Sequence, residues 1–325
     1  MKKALIILFL AFAALLGVQC GGDGENSLSS SDSSSRSGSS DSGSSFSSGI
    51  GIASHVMVLI PAGTFLMGSP VAEANHGSDE TPHPVTLTKD FYMAKYQVTQ
   101  ELYQTVMGVN PGYFSTINNR EPAEGEAAAR RPVETVRWYD ALVFCNKLSG
   151  LEGLTPVYTI NGSTDPSAWG TVPASSSTAW NAVTMNISAN GYRLPTEAEW
   201  EFACRAGTTT AYNLGDVWSG DWGWYSGNSN DQTHETGKKT PNAWGIYDMH
   251  GNVWEWCWDR YGSGYYTDAA AGTDPAGPGT GIIVRVLRGG GFSFPAQGSR
   301  SAFRFSENPS FRSDSVGFRV ARTVL

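Results

Sequence analysis

Cysteine, histidine and long apolar stretches are all scarce in this sequence. Its 325 residues include four cysteines and five histidines, and the net charge at pH 7 is −8. Lysine and arginine form no block anywhere along the chain, which argues against binding to nucleic acid or to anionic lipid through charge. After residue 20, no apolar run approaches the roughly 20 residues that a membrane-spanning helix requires.

The few cysteines do not suit a disulfide framework. Cys145 and Cys204 lie in apolar patterns typical of helices, so we expect each to act as a small buried hydrophobe. Cys257, in "WEWCWD", has no clear role in the sequence. If Cys20 carries a lipid, the number that remains is odd.

Residues 1–19 are predicted to be a lipoprotein signal peptide. Two lysines precede an apolar run, Ala4–Val18, which is the pattern of a secretory leader. The sequence "LLGVQCGG" resembles the lipobox of bacterial lipoproteins, and this implies that Cys20 is lipidated. Ordinary secretion with cleavage elsewhere is the alternative.

Residues 20–54 are predicted to be a flexible tether that begins at the lipidated cysteine. Most of it reads "DGENSLSSSDSSSRSGSSDSGSSFSSG", a composition that cannot bury enough apolar surface to fold. A flexible chain of this length spans roughly 30 Å. Such an anchor and tether would hold a domain clear of a membrane surface.

The remaining residues, 55–325, have the composition of one folded domain. The chain contains 38 glycines and 11 tryptophans, which predicts a loop-rich fold held by large aromatic side chains. "MVLIPAGTFLMGS" predicts two short strands around a turn, and "IIVRVLRGG" and "VGFRVART" predict two more. Residues 151–190 and 207–242 predict long ordered loops. The expected class is α+β.

Three apolar patterns predict the helices. The helix in "VTQELYQTVMGVNP" should begin after Thr99 as N-cap and end at Gly108. The one in "RWYDALVFCNKLSG" should end at Gly150. In "PTEAEWEFACRAG", Thr196 and Glu199 have the spacing of a capping box.

Six motifs occur in an order that resembles the formylglycine-generating-enzyme (sulfatase-modifying factor) domain. They are "IPAGTFLMGS", "YQVTQELYQTVMG", "RPVETVRWYDALVFCNKLS", "GYRLPTEAEWEFACRAG", "PNAWGIYDMHGNVWEW" and "RVLRGG…GFRVAR". The resemblance covers roughly residues 56–325 and implies a variant of the C-type lectin fold. Fold alone does not establish function.

The oxidase members of that family use two cysteines, spaced five residues apart after "RGG", to bind copper and the substrate thiol. The matching positions fall at about Phe294 and Ser299, and no cysteine follows Cys257. The resemblance therefore predicts that this chain is not an enzyme. A second branch binds iron through three histidines. The histidines here lack helical ligand spacing, and we expect His76 and His83 to be solvated.

The C-terminal segment, residues 287–320, resembles a third branch, in which a retroelement diversifies variable proteins, including surface lipoproteins of treponemes. In these proteins a fixed skeleton separates the positions that vary. The skeleton positions here are Leu287, Arg288, Gly289, Gly290, Ala296, Arg300, Ser301, Ala302, Arg304, Asn308, Pro309, Arg312, Gly317, Phe318, Arg319 and Val320. The gap positions are Phe292, Ser293, Phe294, Pro295, Gly298, Ser299, Phe303, Phe305, Ser306, Ser310, Phe311, Ser313, Asp314 and Ser315.

The gap residues follow no secondary-structure period. In the resembled proteins, adenines of asparagine codons ending in C are mutated, and every gap residue is encodable in that way, whereas Gln297 and Glu307 are not. We expect the gap side chains to face solvent and bind a ligand, while the skeleton arginines bind main-chain carbonyls. Burial in the core is the alternative for each phenylalanine. Burial in the core is expected for Phe318, and for Phe292 it is the alternative to ligand contact.

The stretch "YDMHGNVWEW" resembles a calcium-binding stretch of the family. The matching positions are Asp248, Gly251, Val253 and Glu255, and all supply the oxygen ligands that calcium prefers. The alternative is that Asp248 and Glu255 cap turns or pair with skeleton arginines. If calcium binds, it would fix the loop beneath the variable surface, and no cofactor is required for the expected function.

Together these features predict a lipid-anchored receptor or adhesin of the bacterial cell envelope, displayed on the outer-membrane surface. Its C-terminal segment would bind a macromolecular ligand, expected to be a protein and not a nucleic acid. The lipid anchor would be its membrane attachment. Two alternatives stay open: an oxidase with copper held by two of the remaining cysteines, and a fixed carbohydrate-binding or structural envelope module.

Overall fold

The computed structural model describes residues 56–324. The predicted signal peptide, the lipidation site Cys20 and the tether lie outside the described residues. The helices within the described range are α1 Gln100–Met107, α2 Trp138–Leu151, α3 Thr178–Asn181 and α4 Glu197–Arg205. The strands there are β1 Met57–Ile60, β2 Gly63–Met67, β3 His83–Leu87, β4 Phe91–Ala94, β5 Tyr158–Thr159, β6 Thr184–Met185, β7 Tyr192–Arg193, β8 Trp254–Arg260, β9 Arg285–Arg288, β10 Phe305–Glu307, β11 Val316–Gly317 and β12 Ala321–Thr323.

Local capping explains where the predicted helices begin and end. The Thr99 hydroxyl caps the first turn of α1, and the helix ends at Gly108, whose φ of 78° lies in the left-handed region. In α4, Thr196 and Glu199 form the predicted capping box. Helix α2 runs to Leu151, one residue past its predicted end.

Two four-stranded sheets form the centre of the domain. The first has the order β1-β4-β12-β7, with antiparallel neighbours. The second has the order β10-β9-β8-β11, in which β11 runs parallel to β8 and the other pairs are antiparallel. β2 pairs with β3, and β5 pairs with β6, in two smaller sheets.

The stretch "VGFRVART" forms two strands in different sheets, so the prediction of a single strand is wrong. Val316–Gly317 pairs with β8, whereas Ala321–Thr323 pairs with β4 and β7. The residues between them, 318–320, are buried and pass from one sheet to the other. The chain changes sheets here because β8, the partner of Val316–Gly317, lies in the second sheet, whereas β4 and β7, the partners of Ala321–Thr323, lie in the first.

Two apolar clusters surround α2 and α4. Residues 151–190 are more structured than the predicted loop, because they contain α3, β5 and β6 and contribute Trp169 and Trp180 to the first cluster. Cys145, Cys204 and Cys257 are free and buried, which confirms the prediction for the first two. Along the described part of the chain, no helix is long and apolar enough to cross a membrane.

Candidate ligand-binding surface

A pair of glycines turns the chain from β9 into the rest of the C-terminal segment. Gly289 and Gly290 have φ values of 94° and 75°, in the left-handed region that favours glycine. A Cβ atom on Gly290 would lie 2.2 Å from the Ser299 hydroxyl oxygen. The turn therefore requires glycine, and it brings the start of the segment against residue 299.

Skeleton arginines hold the segment by pairing with buried carboxylates. The pairs are Arg288–Glu201, Arg300–Glu80, Arg304–Glu197 and Arg319–Glu255. Each of these guanidinium groups also donates to a main-chain carbonyl, as predicted. Arg312 is the exception and is exposed, because it lies in the open loop that follows Pro309.

Charge compensation makes these pairs costly to break. Burial by itself raises the pKa of Glu197, yet the charges of Arg304 and Arg288 outweigh it and hold the pKa below its ordinary value. The pKa of Glu80 is lowered in the same way, by Arg300 against the effect of burial. Removing one partner of a buried pair costs about 3–5 kcal/mol. The skeleton positions therefore tolerate little change.

Four gap side chains are exposed and six more are half-buried. The ten that are at least partly exposed are Ser293, Phe294, Pro295, Phe303, Phe305, Ser306, Ser310, Phe311, Ser313 and Asp314. Phe305 and Phe311 are each 37% exposed, which is unusual for phenylalanine. Ligand binding at these positions stays a prediction.

Four gap residues are buried, so the expectation of solvent exposure is wrong for them. They are Phe292, Gly298, Ser299 and Ser315. Phe292 packs edge-on against Phe114, with ring centroids 5.1 Å apart, so its second option, the core, is the observed one. The Ser299 carbonyl accepts a hydrogen bond from His250 Nδ1 at 2.7 Å. These positions face the interior because the loop folds back onto the domain there.

Trp254 is the centre of an aromatic platform, which we define as Trp254, Phe294, Phe303 and Phe305. The three phenylalanine rings surround Trp254 at centroid distances of 5.3, 5.9 and 5.3 Å. Trp254 is 1% exposed and belongs to β8, whereas the phenylalanines are gap residues. The sheet therefore supplies a buried ring against which these gap side chains pack.

Main-chain hydrogen bonds fix the path of the segment without using the gap side chains. Ser226 N–H donates to the Phe294 carbonyl at 2.9 Å, and Thr135 N–H donates to the Ser313 carbonyl at 2.9 Å. Trp254 N–H donates to the Ser315 carbonyl at 2.8 Å. Every residue type carries the same carbonyl group. Substitution of the exposed gap side chains would leave these bonds in place.

A strained residue and a buried carboxyl group lie beside the end of the segment. Thr135 has a φ of 62°, which is rare for a β-branched residue, and its hydroxyl donates to Glu134 at 2.6 Å. Burial raises the pKa of Glu134 to about 7, and the nearby charge of Asp314 acts in the same direction. Strain and perturbed carboxyl groups are concentrated at functional sites, and here they mark the margin of the segment.

The four positions matched to a calcium site converge on one side chain, but Asp248 does so through its main-chain carbonyl and not through the side-chain oxygen that the resemblance implies. The carbonyl oxygens of Asp248, Gly251 and Val253 and the Glu255 carboxylate lie 3.4, 3.2, 3.1 and 2.9 Å from one nitrogen atom. That nitrogen belongs to the side-chain amide of Gln97. Glu255 also pairs with Arg319, as the alternative interpretation of Glu255 expected.

The histidines and cysteines of residues 56–324 are all partly or fully buried. His76 and His83 are half-buried, and not solvated as expected, because His76 Nδ1 lies 2.8 Å from the Ser69 hydroxyl oxygen and the His83 ring lies 4.5 Å from that of Tyr266. Burial lowers the pKa of His250 to about 4 and raises that of Cys204 to about 12. Among residues 56–324, no three His, Cys, Asp or Glu side chains are grouped to hold a metal ion.

Sequence reasoning missed Gln97, Trp254 and three of the carboxylates that pair with the skeleton arginines, namely Glu80, Glu197 and Glu201. One signal was present: Glu197, Glu199 and Glu201 occur at every second position of an otherwise apolar helix. Because buried carboxylates need partners, such a helix predicts arginines elsewhere in the core. Gln97 carries no comparable signal in the sequence.

Comparison with known proteins places these features in a family. A model of the sulfatase-modifying factor enzyme 1-like domain matches residues 44–324. Among solved structures, variable protein 1 of Treponema denticola is similar, with a TM-score of 0.76 and 35% sequence identity. That match covers 88% of this chain and 100% of the other.

Two further relatives cover most of the domain. The chaperone protein LppX of Paenibacillus barcinonensis is 39% identical over 233 residues, which are 66% of this chain and 74% of that protein. A formylglycine-generating enzyme of Thermomonospora curvata is 28% identical over 305 residues, or 83% of this chain and 94% of the relative. The expected loop-rich α+β fold of the formylglycine-generating-enzyme type is confirmed.

Proposed function

This chain belongs to the family of the sulfatase-modifying factor enzyme 1-like domain, and on that premise we propose that it is a ligand-binding protein of the cell surface. The exposed gap residues of the C-terminal segment form the binding surface. The ligand is a macromolecule, and we propose a protein. Diversification of the segment by a retroelement sets which ligand is bound.

The observation that carries this proposal is the separation of two kinds of residue within one segment. Four of the five skeleton arginines are buried and paired with carboxylates, while ten of the fourteen gap side chains are at least partly exposed. The main chain is held by bonds that any residue type can make. A rigid frame with replaceable side chains is suited to recognition of changing partners.

The chemistry of the exposed side chains favours a protein ligand. Phe305 and Phe311 offer large apolar area with little rotamer freedom to lose, and the serines between them supply adaptable hydrogen bonds. Aromatic side chains are enriched at the centres of protein–protein interfaces. A net charge of −8 disfavours nucleic acid.

Two resemblances support the proposed location and the source of variation. The similarity to a variable protein of Treponema denticola fits the skeleton and gap pattern. The lipobox-like sequence around Cys20 and the Ser-rich stretch after it fit a lipid-anchored protein of the cell envelope, which we place at the outer-membrane surface. The lipid would be its attachment to the membrane.

We propose that the chain is not a thiol oxidase, although one relative is a formylglycine-generating enzyme. Phe294 and Ser299 stand where the resembled oxidases have cysteines. A relocated site would need a thiolate, yet burial raises the pKa of Cys204 to about 12 and raises those of Cys145 and Cys257 as well. Copper binding requires thiolates, so these thiols are poor ligands.

The test is deep sequencing of the gene's 3′ end in a cultured population, with a search of the flanking DNA for a near-copy. We expect substitutions at the exposed gap codons, matched to adenines in the copy, and none at the buried skeleton arginines. Gln297 is the control, because it is exposed but is not encodable with a final C. Ordinary drift would change it as often as its exposed neighbours.

An invariant segment without a copy would refute the diversification. A fixed carbohydrate-binding or structural envelope module would then explain the fold better. Variation at Gln297 equal to that at Phe294 would point to relaxed selection on a solvent-facing loop.

A further inference from the structure

Gln97 lies among more acceptor oxygens than one amide needs. It follows β4, and its side chain is fully buried. Its amide nitrogen lies within 3.4 Å of three main-chain carbonyl oxygens and of the Glu255 carboxylate. An amide nitrogen carries two hydrogens, so four acceptors around it resemble the surroundings of a cation.

The same oxygens do not fit a divalent cation while Gln97 is in place. Glu255 Oε1 accepts from Gln97 Nε2 and Arg319 Nη2 at 2.9 and 2.7 Å. Glu255 Oε2 accepts from Trp200 Nε1 and Arg319 Nε at 2.7 and 2.6 Å. The carboxylate is thus fully engaged, and the guanidinium already balances its charge. Calcium requires about six to eight oxygen ligands at about 2.3–2.6 Å.

We propose that the Gln97 amide takes the place of a cation in this chain, so that the domain folds without calcium. The amide ties the connection between β4 and α1 to residues 248–255. That stretch leads into β8 and carries Trp254, the centre of the aromatic platform. Hydrogen bonds from one neutral side chain therefore position the base of the candidate binding surface.

Two buried oxygen atoms show where a cation could still act. Gln97 Oε1 and Asp248 Oδ1 are buried and have no hydrogen-bond partner in the described structure, which costs stability. If the amide nitrogen is replaced by oxygen, the four oxygens that it contacted face a further acceptor. A cation is then the natural partner, because the nearby donors, Arg319 and Trp200, already bind Glu255.

Gln97→Glu tests the proposal, because it keeps the shape of the side chain and replaces the amide nitrogen by oxygen. We would measure the Tm of the full chain in EDTA and in millimolar calcium. We expect the same Tm for the wild type in both solutions. The variant should melt at least about 5 °C lower in EDTA and recover in calcium.

Gln100→Glu is the matched control. Gln100 is also buried, and its amide nitrogen donates to the Phe114 carbonyl at 2.9 Å, but only one further carbonyl lies near it, that of Pro132 at 3.5 Å. We expect this variant to lose stability equally in EDTA and in calcium. Recovery in calcium should be confined to position 97.

Two results would overturn the proposal. One is a wild-type Tm that falls in EDTA and returns with calcium. The other is a folded Gln97→Glu variant that is as stable in EDTA as the wild type or does not respond to calcium. If that variant does not fold, calorimetric titration of the wild type with calcium chloride decides: stoichiometric binding refutes the proposal, and its absence supports it.

Discussion

Two adjacent residues in the C-terminal segment should lose very different amounts of stability on substitution. Arg304 is buried and donates twice to Glu197, both times at 2.7 Å, whereas Phe305 is 37% exposed. Arg304→Met keeps much of the volume but leaves the carboxylate without its main partner, which costs about 3–5 kcal/mol. Arg288 Nε remains 3.7 Å from Glu197, so we expect the lower end, about 3 kcal/mol.

Phe305→Ser removes part of the contact with Trp254. Full burial of a phenylalanine side chain contributes about 1.5–3 kcal/mol, and Phe305 is only partly buried, so we expect a loss of about 1 kcal/mol. Urea unfolding followed by tryptophan fluorescence gives both free energies of unfolding. Equal losses in the two variants would refute the distinction between skeleton and gap positions. A loss above about 3 kcal/mol for Phe305→Ser would make Phe305 a core residue.

Three further outcomes follow from single side chains. Burial raises the pKa of Glu134 to about 7, so the wild type should lose stability from about pH 5 to pH 7, where the unfolded chain binds fewer protons. Glu134→Gln should remove about 1–3 kcal/mol of that decline, measured by urea unfolding across pH; parallel curves for both proteins would contradict this. A thiol reagent should not label Cys204 in the native protein at pH 8 but should do so in denaturant, because its pKa is raised to about 12; rapid native labelling would show an accessible thiolate. Gly290→Ala should lower the Tm strongly, since the new Cβ would lie 2.2 Å from the Ser299 hydroxyl oxygen. Gly279→Ala is the control and should leave the Tm unchanged, because its Cβ would meet nothing within 4 Å. Similar Tm values for the two variants would refute the close approach.

Local signals predicted three of the four α-helices of residues 56–324 and the turn between β1 and β2. The Thr99 cap and the Gly108 end of α1, and the capping box of α4, depend on residues three or four positions apart along the chain. Interactions of this range form in any context, so they are readable from the sequence. The "VGFRVART" prediction was wrong because sheet membership depends on distant partners, which no local pattern contains.

The sequence predicted which segment forms the candidate surface, but it did not predict which of its side chains are buried. The sequence separated gap positions from skeleton positions, and the exposure of ten gap residues agrees with it. It could not show that Phe292 turns inward against Phe114. A phenylalanine in the sequence looks the same whether its side chain is buried or exposed. The path of the main chain decides whether the side chain faces the core or the solvent.

The sequence by itself determined the helix ends, which are short-range features, and the order of motifs that identifies the fold type. The tertiary structure alone decided which charges and amides meet. Arg319 reaches Glu255 across 64 positions, and Gln97 reaches it across 158. Such pairs form only when the sheets bring distant strands together, because a buried charge or amide takes whatever partner the topology places beside it.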